Sequence, residues 1–497
     1  MSIPTCRATR LAFLVDAAGY FAAVAESIEQ ATRSVFILGW DVDARTLLPD
    51  PRTAGHTISL RDLLNRKARA TRDLRIRILG WDYSTLFTLE RQMFPKLHLG
   101  WRTHRRVLFQ ADATHPVGAA HHQKIIVVDD RIAYSGGLDL TIRRWDTRRH
   151  LPDDPGRTDP AGEPYRPFHD IQVLVEGEAA DALAEIARER WWRATGEAVR
   201  EVSASVRSNP WPKRLKPHAR NTTVAISRTQ GESEVQPPLR EVEATMLGEI
   251  AAAKRSLYIE NQYLSSDVIG EALARRLDEE DGPEIIVVLP RCCAGWLEKR
   301  SMGALRGRVL AKLTHAKHPE RLRCVYPSSG GEEVYVHAKV LVADDATARV
   351  GSANLSRRSL TLDTECDVTV IAGTDPESSA AIARFRDGLL AEHLGTSAGE
   401  IARRRNEGWS LVRIVDELGE PWRRLVPIED ECTAEQATAE APWVADFADP
   451  EAPLDAEHLL GALGDKPARS KKLGVATGVA ASLALLALGV AWMLGAR

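Results

Sequence analysis

The sequence has few cysteines and no paired cysteine motif. Its 497 residues include six cysteines, none in a C-x-x-C pair, which excludes a zinc knuckle and a disulfide framework and favours a reducing compartment. The charge is nearly balanced, with 66 Lys and Arg against 69 Asp and Glu, so the chain lacks the basic excess by which most nucleic-acid binders hold phosphate. We therefore expect no nucleic-acid partner, while a local basic cleft is compatible with this balance.

We also expect no export signal at the N-terminus, because its apolar stretch from Leu11 to Val15 is interrupted by Asp16 and is too short. The C-terminus differs: Leu473 to Gly495 is 23 residues without a charge, long enough as a helix to span a bilayer. Basic residues precede this run and bias the preceding body toward the cytoplasm. The sequence predicts a single-pass protein of the cell inner membrane, attached through a transmembrane helix over 473–495, with a cytoplasmic N-terminal body.

Two segments about 220 residues apart read alike, Ala31 to Ile37 (ATRSVFI) and Ala253 to Ile259 (AKRSLYI). Each follows an amphipathic helical pattern and runs into an apolar strand-like stretch. Further short apolar runs follow in both halves and suit sheets that are covered on both faces. The repeat therefore predicts an α/β fold built from two similar halves.

Changes in composition divide the chain. Residues 203–222 are rich in Ser, Pro and basic residues, and residues 428–455 are acidic and rich in Ala and Pro, as is typical of connections and tethers. We expect a first repeat over 1–205, a second over 206–395, a tail and tether over 396–472, and the membrane anchor over 473–495.

One short motif occurs twice with the same spacing. A histidine is followed after two positions by a lysine, after five more by an aspartate and after seven more by two small residues: His122, Lys124, Asp129, Gly136 and Gly137, and again His337, Lys339, Asp344, Gly351 and Ser352. Side chains two positions apart in an extended segment project from the same face. An imidazole beside an ammonium group is therefore available twice.

Four explanations of this motif are open. A metal site is disfavoured because lysine is a poor ligand that repels a cation. If the histidines were purely structural, they would have to recur twice with the same partners at the same spacings. An anion-binding fold that has lost its activity would keep the motif without catalysing a reaction. The pattern favours phosphoryl transfer, in which a neutral imidazole attacks a phosphodiester and a protonated one gives its proton to the leaving alkoxide. The lysines would neutralise the developing charge, so no metal and no organic cofactor is expected.

Residues around the motif have expected supporting roles. The small residues after the second strand (Gly136, Gly137, Gly351 and Ser352) would let backbone N–H groups approach a phosphate. Asp139 and Asn354, each three residues after the first small residue, are expected to support that loop, and Asp129 and Asp344 to brace the strand turn. His121 alternates to the opposite strand face and is expected to be structural, whereas for His169 a place in the pocket stays open.

These residues resemble the phospholipase D superfamily, whose paired signature is H-x-K-x4-D-x6-G-[GS]. The resemblance covers roughly residues 10–395. The segments Gly136 to Leu140, Arg144 to Asp146 and Tyr258 to Gln262 are similar to the phospholipid-cleaving branch of this family. The resemblance implies two similar α/β/α sandwich halves with the active site at their interface.

The resemblance also implies a role for each site residue. It makes His122 the nucleophile and His337 the general acid and later base, with Lys124 and Lys339 beside them. An acidic residue of the opposite half orients each histidine: Glu365 would hold His122, and Asp170 would hold His337, with Asp367 as the alternative in the second half.

From this resemblance we expect a phospholipase D-type phosphodiesterase or phosphatidyltransferase that cleaves head groups from glycerophospholipids of a membrane through a phosphohistidine. The alternatives are a cardiolipin-synthase-like transferase that uses a second lipid alcohol, a nuclease, and a membrane scaffold without activity. The sequence leaves the head group, the acceptor alcohol and the oligomeric state open.

Overall fold

A computed structural model of the chain describes residues 3–82, 102–203, 208–233, 237–292, 296–428 and 449–453. The elements of the first half are β1 (Thr5–Val15), α1 (Ala17–Gln30), β2 (Ser34–Gly39), β3 (Leu47–Pro49), β4 (Thr57–Ser59), α2 (Leu60–Ala70), β5 (Arg75–Trp81), β6 (Val107–Asp112), β7 (Ile125–Val128), β8 (Ile132–Gly136), β9 (Phe168–His169), β10 (Ile171–Glu176) and α3 (Glu178–Thr195).

The second half has the same order of main strands but differs in its short strands and helices. Its elements are β11 (Ala219–Gln230), β12 (Leu239–Arg240), α4 (Glu241–Ala252), β13 (Ser256–Glu260), α5 (Asp267–Leu277), β14 (Glu284–Val288), α6 (Trp296–Thr314), β15 (Leu322–Ser329), β16 (Glu332–Glu333), β17 (Tyr335–Val336), β18 (Val340–Ala343), β19 (Thr347–Gly351), α7 (Arg357–Thr361), β20 (Glu365–Ile371), α8 (Pro376–Leu394), α9 (Ala398–Asn406), α10 (Leu411–Glu417) and β21 (Arg423–Pro427).

The main strands form one continuous sheet whose two halves have the same order. Along the first half the strands run β6-β5-β2-β7-β8-β10-β1, and along the second half β15-β14-β13-β18-β19-β20-β11. The antiparallel pair of β1 and β11 joins them. Equivalent strands therefore lie at equal distances on either side of this pair, which is a pseudo-twofold arrangement.

Helices cover both faces of each half. In the first half, α1 and α2 pack on one face and α3 packs on the other. In the second half, α4, α5 and α6 cover one face and α8 the other. This explains why all six residues of β2, a central strand, are buried and why its sequence is an apolar run rather than an alternating one.

The halves meet in the stretch between Thr195 and Ala219, where α3 ends and β11 begins. The predicted boundary between residues 205 and 206 falls in this stretch, and we propose it as the division between the two repeats. Beyond residue 395 the chain does not become a tether at once, because α9 and α10 follow and β21 pairs with the outer strand β15. We therefore propose that the second repeat extends to Pro427.

One part of the predicted fold needs correction. Among the described residues, no helix is both long and apolar enough to cross a membrane. The reason is visible in the two longest helices, α6 and α8, since both carry several charged residues along their 19 positions. The predicted transmembrane helix, the attachment to a membrane through it and the single-pass inner-membrane location are thus contradicted. Residues 473–495 themselves lie outside the described residues.

The aspartate of each motif lies at the turn after the motif strand and accepts hydrogen bonds from the start of a neighbouring strand. Asp129 accepts from the backbone N–H groups of Thr32, Arg33 and Ser34 and from the Thr32 hydroxyl, at 2.7–2.9 Å. In the second half, Asp344 accepts from three backbone N–H groups, those of residues 254–256, each at 2.9 Å. Both aspartates have a positive φ, 53° and 54°. The two turns are therefore built in the same way.

The two turns differ in burial, which allows a matched test. Asp129 is fully buried, whereas Asp344 is half-buried. Asp129→Ala leaves four donors, one buried and three partly buried, without a partner and should lower the free energy of unfolding by about 3 kcal/mol. Asp344→Ala should lower it by less, because its donors are more exposed and water replaces the carboxylate. Urea unfolding followed by tryptophan fluorescence measures both variants. Equal losses would contradict the idea that buried donors set the cost.

Candidate active site at the interface of the two halves

The two motif histidines lie at equivalent places, just before β7 and β18. The backbone N–H of His122 donates to the carbonyl of Thr364 at 2.9 Å, and that of His337 donates to the carbonyl of His169 at 2.8 Å. In each case the acceptor belongs to the opposite half and immediately precedes an acidic residue of that half. The backbone thus places each histidine beside an acid that it could not reach within its own repeat.

Each imidazole contacts that acid. Nδ1 of His122 lies 3.0 Å from both carboxyl oxygens of Glu365, and Nδ1 of His337 lies 2.6 Å from Oδ2 of Asp170. Both acids are completely buried. Because Nδ1 of each ring is engaged, Nε2 is the nitrogen that is left to meet a substrate.

The two motif lysines are buried beside the histidines. Nζ of Lys124 donates to the carbonyl of His122 at 2.7 Å and lies 3.3 Å from Oδ2 of Asp139. Nζ of Lys339 donates to the carbonyl of His337 and to the side-chain oxygen of Gln262, the latter at 3.1 Å. The first ammonium group therefore faces a carboxylate and the second an uncharged amide.

Burial and neighbouring positive charges lower the pKa values of the basic side chains in the free site. Burial, Lys124 and Lys339 together lower the pKa of both imidazoles, His122 and His337, well below the ordinary value. Burial likewise lowers the pKa of Lys339 to about 7. Lysines of both motifs therefore act on both rings.

The acids respond to burial in the opposite direction. Burial, with Asp363 adding repulsion, raises the pKa of Glu365 to about 8, and burial raises the pKa of Asp170 to about 7. Each histidine–acid pair is therefore held without full charge separation in the free protein. An anion that enters the site would stabilise the protonated lysine and imidazole.

The small residues after the second motif strand make room for acids of the neighbouring strand. A Cβ on Gly137 would lie 2.1 Å from Oδ1 of Asp170, and one on Gly351 would lie 1.8 Å from Oδ1 of Asp367. The N–H groups of Gly137 and Gly351 donate to backbone carbonyls, and that of Ser352 to a carbonyl and to Asp367. These three groups are bonded within the protein, so they are not aimed at a ligand.

Of the remaining predicted residues, Asp139 contacts a motif lysine, whereas Asn354 and Asp367, among the residues that the structure describes, form no hydrogen bond with either motif histidine. Oδ1 of Asp139 accepts the N–H of Trp40 at 2.9 Å, so Asp139 joins the loop after β2 to Lys124. Asn354 is buried, and its side-chain oxygen has no hydrogen-bond partner in the described part of the chain. Asp367 pairs with the buried Arg349 at 3.1 Å. The contacts of Asp367 are structural, and Glu365 is the β20 acid that contacts the motif histidine His122.

Two further histidines lie near the site but do not line it. His121 is buried, with Nδ1 3.0 Å from the hydroxyl of Thr364 and Nε2 3.2 Å from Asp112. His169 is completely buried, and both of its ring nitrogens contact carboxylates. Neither imidazole is available to a substrate.

The structure adds neighbours that the repeated motif does not reveal. The ring of Trp40 lies 6.3 Å from that of His122, and the ring of Phe168 lies 5.4 Å from that of His337, measured between centroids. The guanidinium of Arg144 lies 4.9 Å above Phe168. Trp40 and Gln262 stand at equivalent positions after β2 and β13, so aligning the two repeats further along these strands would have found them.

Comparison with known proteins agrees with this architecture. Residues 27–271 match the family model described as Phospholipase D, and residues 246–386 match the model described as Cardiolipin synthase, PLD-like domain. Phosphatidylserine synthase of Haemophilus influenzae Rd KW20 has a similar fold, with a TM-score of 0.56 and 13% sequence identity over 82% of this chain and 94% of that chain. The fold is that of a repeated α/β protein that carries two histidine–lysine motifs, and the chain belongs to the phospholipase D superfamily.

Curated relatives show the same family at low identity. Phospholipase D A of Dictyostelium discoideum is 26% identical over 456 residues, covering 77% of this chain and 35% of the relative. Phospholipase D1 of Schizosaccharomyces pombe is 24% identical over 525 residues (83% and 37%), and Phospholipase D2 of Bos taurus is 23% identical over 511 residues (78% and 53%). The chain spans between about a third and a half of the length of these relatives.

The lowered imidazole pKa values give a test that needs no substrate. In the free protein, His122 and His337 should stay neutral as the pH falls from 8 toward 6.5, because burial and the lysines oppose protonation. NMR of protein labelled in its histidine rings, with His122→Gln and His337→Gln to assign the signals, measures this. Inorganic phosphate should raise the protonation midpoint of at least one of the two rings. A midpoint at or above the ordinary value of about 6.5 without phosphate would contradict the electrostatic description.

Proposed function

We propose that this protein cleaves the head-group phosphodiester of glycerophospholipids and transfers the phosphatidyl group to water or to an alcohol. The observation that carries the proposal is the pairing of each motif imidazole with a buried acid of the opposite half, at 2.6 Å for His337 and 3.0 Å for His122. One site with two oriented imidazoles and two ammonium groups suits a two-step displacement at phosphorus.

In the proposed first step, Nε2 of His122 attacks the phosphorus and the bond from phosphorus to the head-group oxygen breaks. His337, protonated once the anionic substrate is bound, gives its proton to that oxygen, and the head-group alcohol leaves. Lys124 and Lys339 offset the charge on the non-bridging oxygens. Glu365 stabilises the positive charge that develops on the His122 ring.

In the second step, an acceptor hydroxyl attacks the phosphohistidine. The neutral His337 takes the proton of the acceptor, the bond between phosphorus and Nε2 of His122 breaks, and the site returns to its first state. Water as acceptor gives phosphatidic acid, and an alcohol gives a phosphatidyl ester. The protein needs no metal for either step, because the lysines supply the positive charge.

The lipid substrate is supported by the relatives. Curated relatives carry the name phospholipase D, and the structural neighbour is named as a phosphatidylserine synthase. A second candidate is a transferase whose acceptor is another lipid alcohol, which is favoured by the match of residues 246–386 to the cardiolipin synthase model. The two candidates share the first step and differ only in the acceptor.

Competition between acceptors tests the common intermediate. With phosphatidylcholine in mixed micelles, a small primary alcohol should divert product from phosphatidic acid to the phosphatidyl alcohol while choline release continues, since both acceptors attack one phosphohistidine. Choline assay and lipid mass spectrometry measure the two products. If phosphatidylglycerol as acceptor outcompetes both water and the small alcohol, the transferase is favoured. Turnover of a DNA oligonucleotide but of no phospholipid would overturn the lipid assignment.

The leaving group tests the role of His337. His122→Ala should abolish release of every leaving group, whereas His337→Ala should slow release of choline far more than release of p-nitrophenol from the corresponding p-nitrophenyl ester, because a good leaving group needs no proton. Stopped-flow absorbance and a choline assay measure the two rates. Equal losses with both substrates would contradict the assignment of His337 as the general acid.

Two buried acids of β20 form a matched pair for the orienting role. Glu365→Gln removes the charge that supports the His122 imidazolium and should lower the rate of head-group release by roughly 100- to 10,000-fold. Asp367→Asn removes an equally buried charge that contacts Arg349 instead. It should lower thermal stability and leave the rate per folded molecule within about tenfold. A larger rate loss in Asp367→Asn than in Glu365→Gln would show that Glu365 is not the acid that orients His122.

A further inference from the structure

Beside the candidate active site lies a cluster of four buried side chains that the mechanism does not use. We call Asp16, His150, His169 and Glu392 the four-residue cluster. All four have an exposed fraction of 6% or less, and three of them are completely buried. They come from both halves: Asp16 precedes α1, His150 and His169 lie in the segment between β8 and β10, and Glu392 belongs to α8.

The contacting atoms of the cluster converge on one point. Nε2 of His150 and Nδ1 of His169 each lie 3.0 Å from Oε1 of Glu392. The same nitrogens lie 3.4 and 3.0 Å from the two oxygens of Asp16. Four nitrogen and oxygen ligands at about 2.0–2.2 Å from a tetrahedral zinc ion are about 3.3–3.5 Å apart. Three of the observed separations are 3.0 Å and one is 3.4 Å, so these atoms need to move apart by only a few tenths of an ångström to surround an ion.

A second shell of carboxylates orients both imidazoles toward that point. Nδ1 of His150 lies 2.9 Å from Oδ2 of Asp146, and Nε2 of His169 lies 2.8 Å from Oε2 of Glu260. Histidines that bind a metal usually donate their other ring N–H to a carboxylate in this way, which fixes the nitrogen that binds the metal. Both histidines of the cluster show this arrangement.

One oxygen of the cluster also lacks a hydrogen bond. Oδ2 of Asp16 is buried and has no hydrogen-bond partner in the described part of the chain, although it lies 3.4 Å from Nε2 of His150. Such an atom is costly to bury unless a cation compensates it. Oδ2 of Asp16 faces Nε2 of His150, and the contact of Asp146 with Nδ1 of the same ring sets the direction of that nitrogen.

The charges of the region leave room for a divalent cation. Four carboxylates, those of Asp16, Asp146, Glu260 and Glu392, are buried together. Two arginines pair with them, Arg148 with Glu392 and Arg157 with Asp146. With neutral imidazoles these six groups carry two negative charges in excess. A divalent ion or two added protons would balance them.

We propose that the four-residue cluster binds one structural zinc ion. Two imidazole nitrogens and two carboxylate oxygens in a closed, buried, four-coordinate arrangement suit Zn²⁺, and no position is left open for a substrate. The ion would join α8 of the second half to the segment that carries Asp170. This site is separate from the reacting atoms, so the proposal does not depend on the proposed function.

Its position suggests what the ion does. The backbone N–H of Asp16 donates to the carbonyl of Asp170 at 2.9 Å, and His169 is the residue before Asp170. A metal held by Asp16 and His169 would therefore fix both neighbours of the acid that contacts His337. We expect zinc to stabilise the interface of the two halves.

The test compares metal content in matched variants of the full chain. Wild-type protein, produced in zinc-supplemented medium and purified without a chelator, should contain one zinc ion per chain by mass spectrometry of the metals. Glu392→Gln should lose this zinc. Glu249→Gln is the control, because Glu249 is an equally buried acid that pairs with Arg349 at 2.9 Å, far along the chain from the cluster; it should keep the zinc.

A second measurement covers the case in which Glu392→Gln does not fold. Wild-type protein depleted of metal should bind Co²⁺ with the strong visible absorption of a tetrahedral site, and Zn²⁺ should displace it and raise the melting temperature. Wild-type protein that holds no zinc and gives no such spectrum would overturn the proposal. Folded Glu392→Gln with unchanged zinc would also overturn it, because the ion would then lie elsewhere.

Discussion

The site depends on one kind of contact, made twice: the backbone of a motif histidine bonds to the residue that precedes an acid of the other half. His122 bonds to Thr364 and contacts Glu365, while His337 bonds to His169 and contacts Asp170. Neither half can orient its own imidazole. A single repeat would therefore hold a histidine without its acid, and both halves, joined by the pairing of β1 with β11, are needed to orient either imidazole.

The two repeats differ in the charge of the residues that face the motif lysines. Asp139 in the first repeat corresponds to Asn354 in the second, and the ammonium of Lys124 faces Asp139 while that of Lys339 faces the Gln262 amide. Lys124 therefore contacts a carboxylate of its own repeat, whereas the equivalent contact of Lys339 is to an amide. Burial lowers the pKa of Lys339 to about 7, although Asp170 and Glu365 act in the opposite direction. A phosphodiester carries one negative charge, and binding it would favour the protonated form of Lys339.

The sequence predicted the parts of this structure that repeat. Two copies of one motif indicated two α/β halves, and the family pattern pointed to Glu365 and Asp170 as the acids that now lie beside the histidines. It preferred Glu365 and kept Asp367 as the alternative, because both stand on the same strand with the same alternation; the bond of Asp367 to Arg349 depends on packing. The transmembrane helix was predicted from composition alone, and the described helices gave no such element.

The four-residue cluster shows why a site without a repeated motif is not predicted from the sequence. Asp16 and Glu392 are 376 positions apart and share no motif, and His169 stood out only as the neighbour of Asp170. The pseudo-twofold arrangement does not generate this cluster, since it draws three residues from the first half and one from the second. Duplication can place two histidines across one phosphate, but it cannot by itself fix how the halves pack around them. A metal bound by the four-residue cluster would link the two halves next to Asp170 and have no counterpart next to Glu365. Such an asymmetric link would hold the two halves in a single packing arrangement.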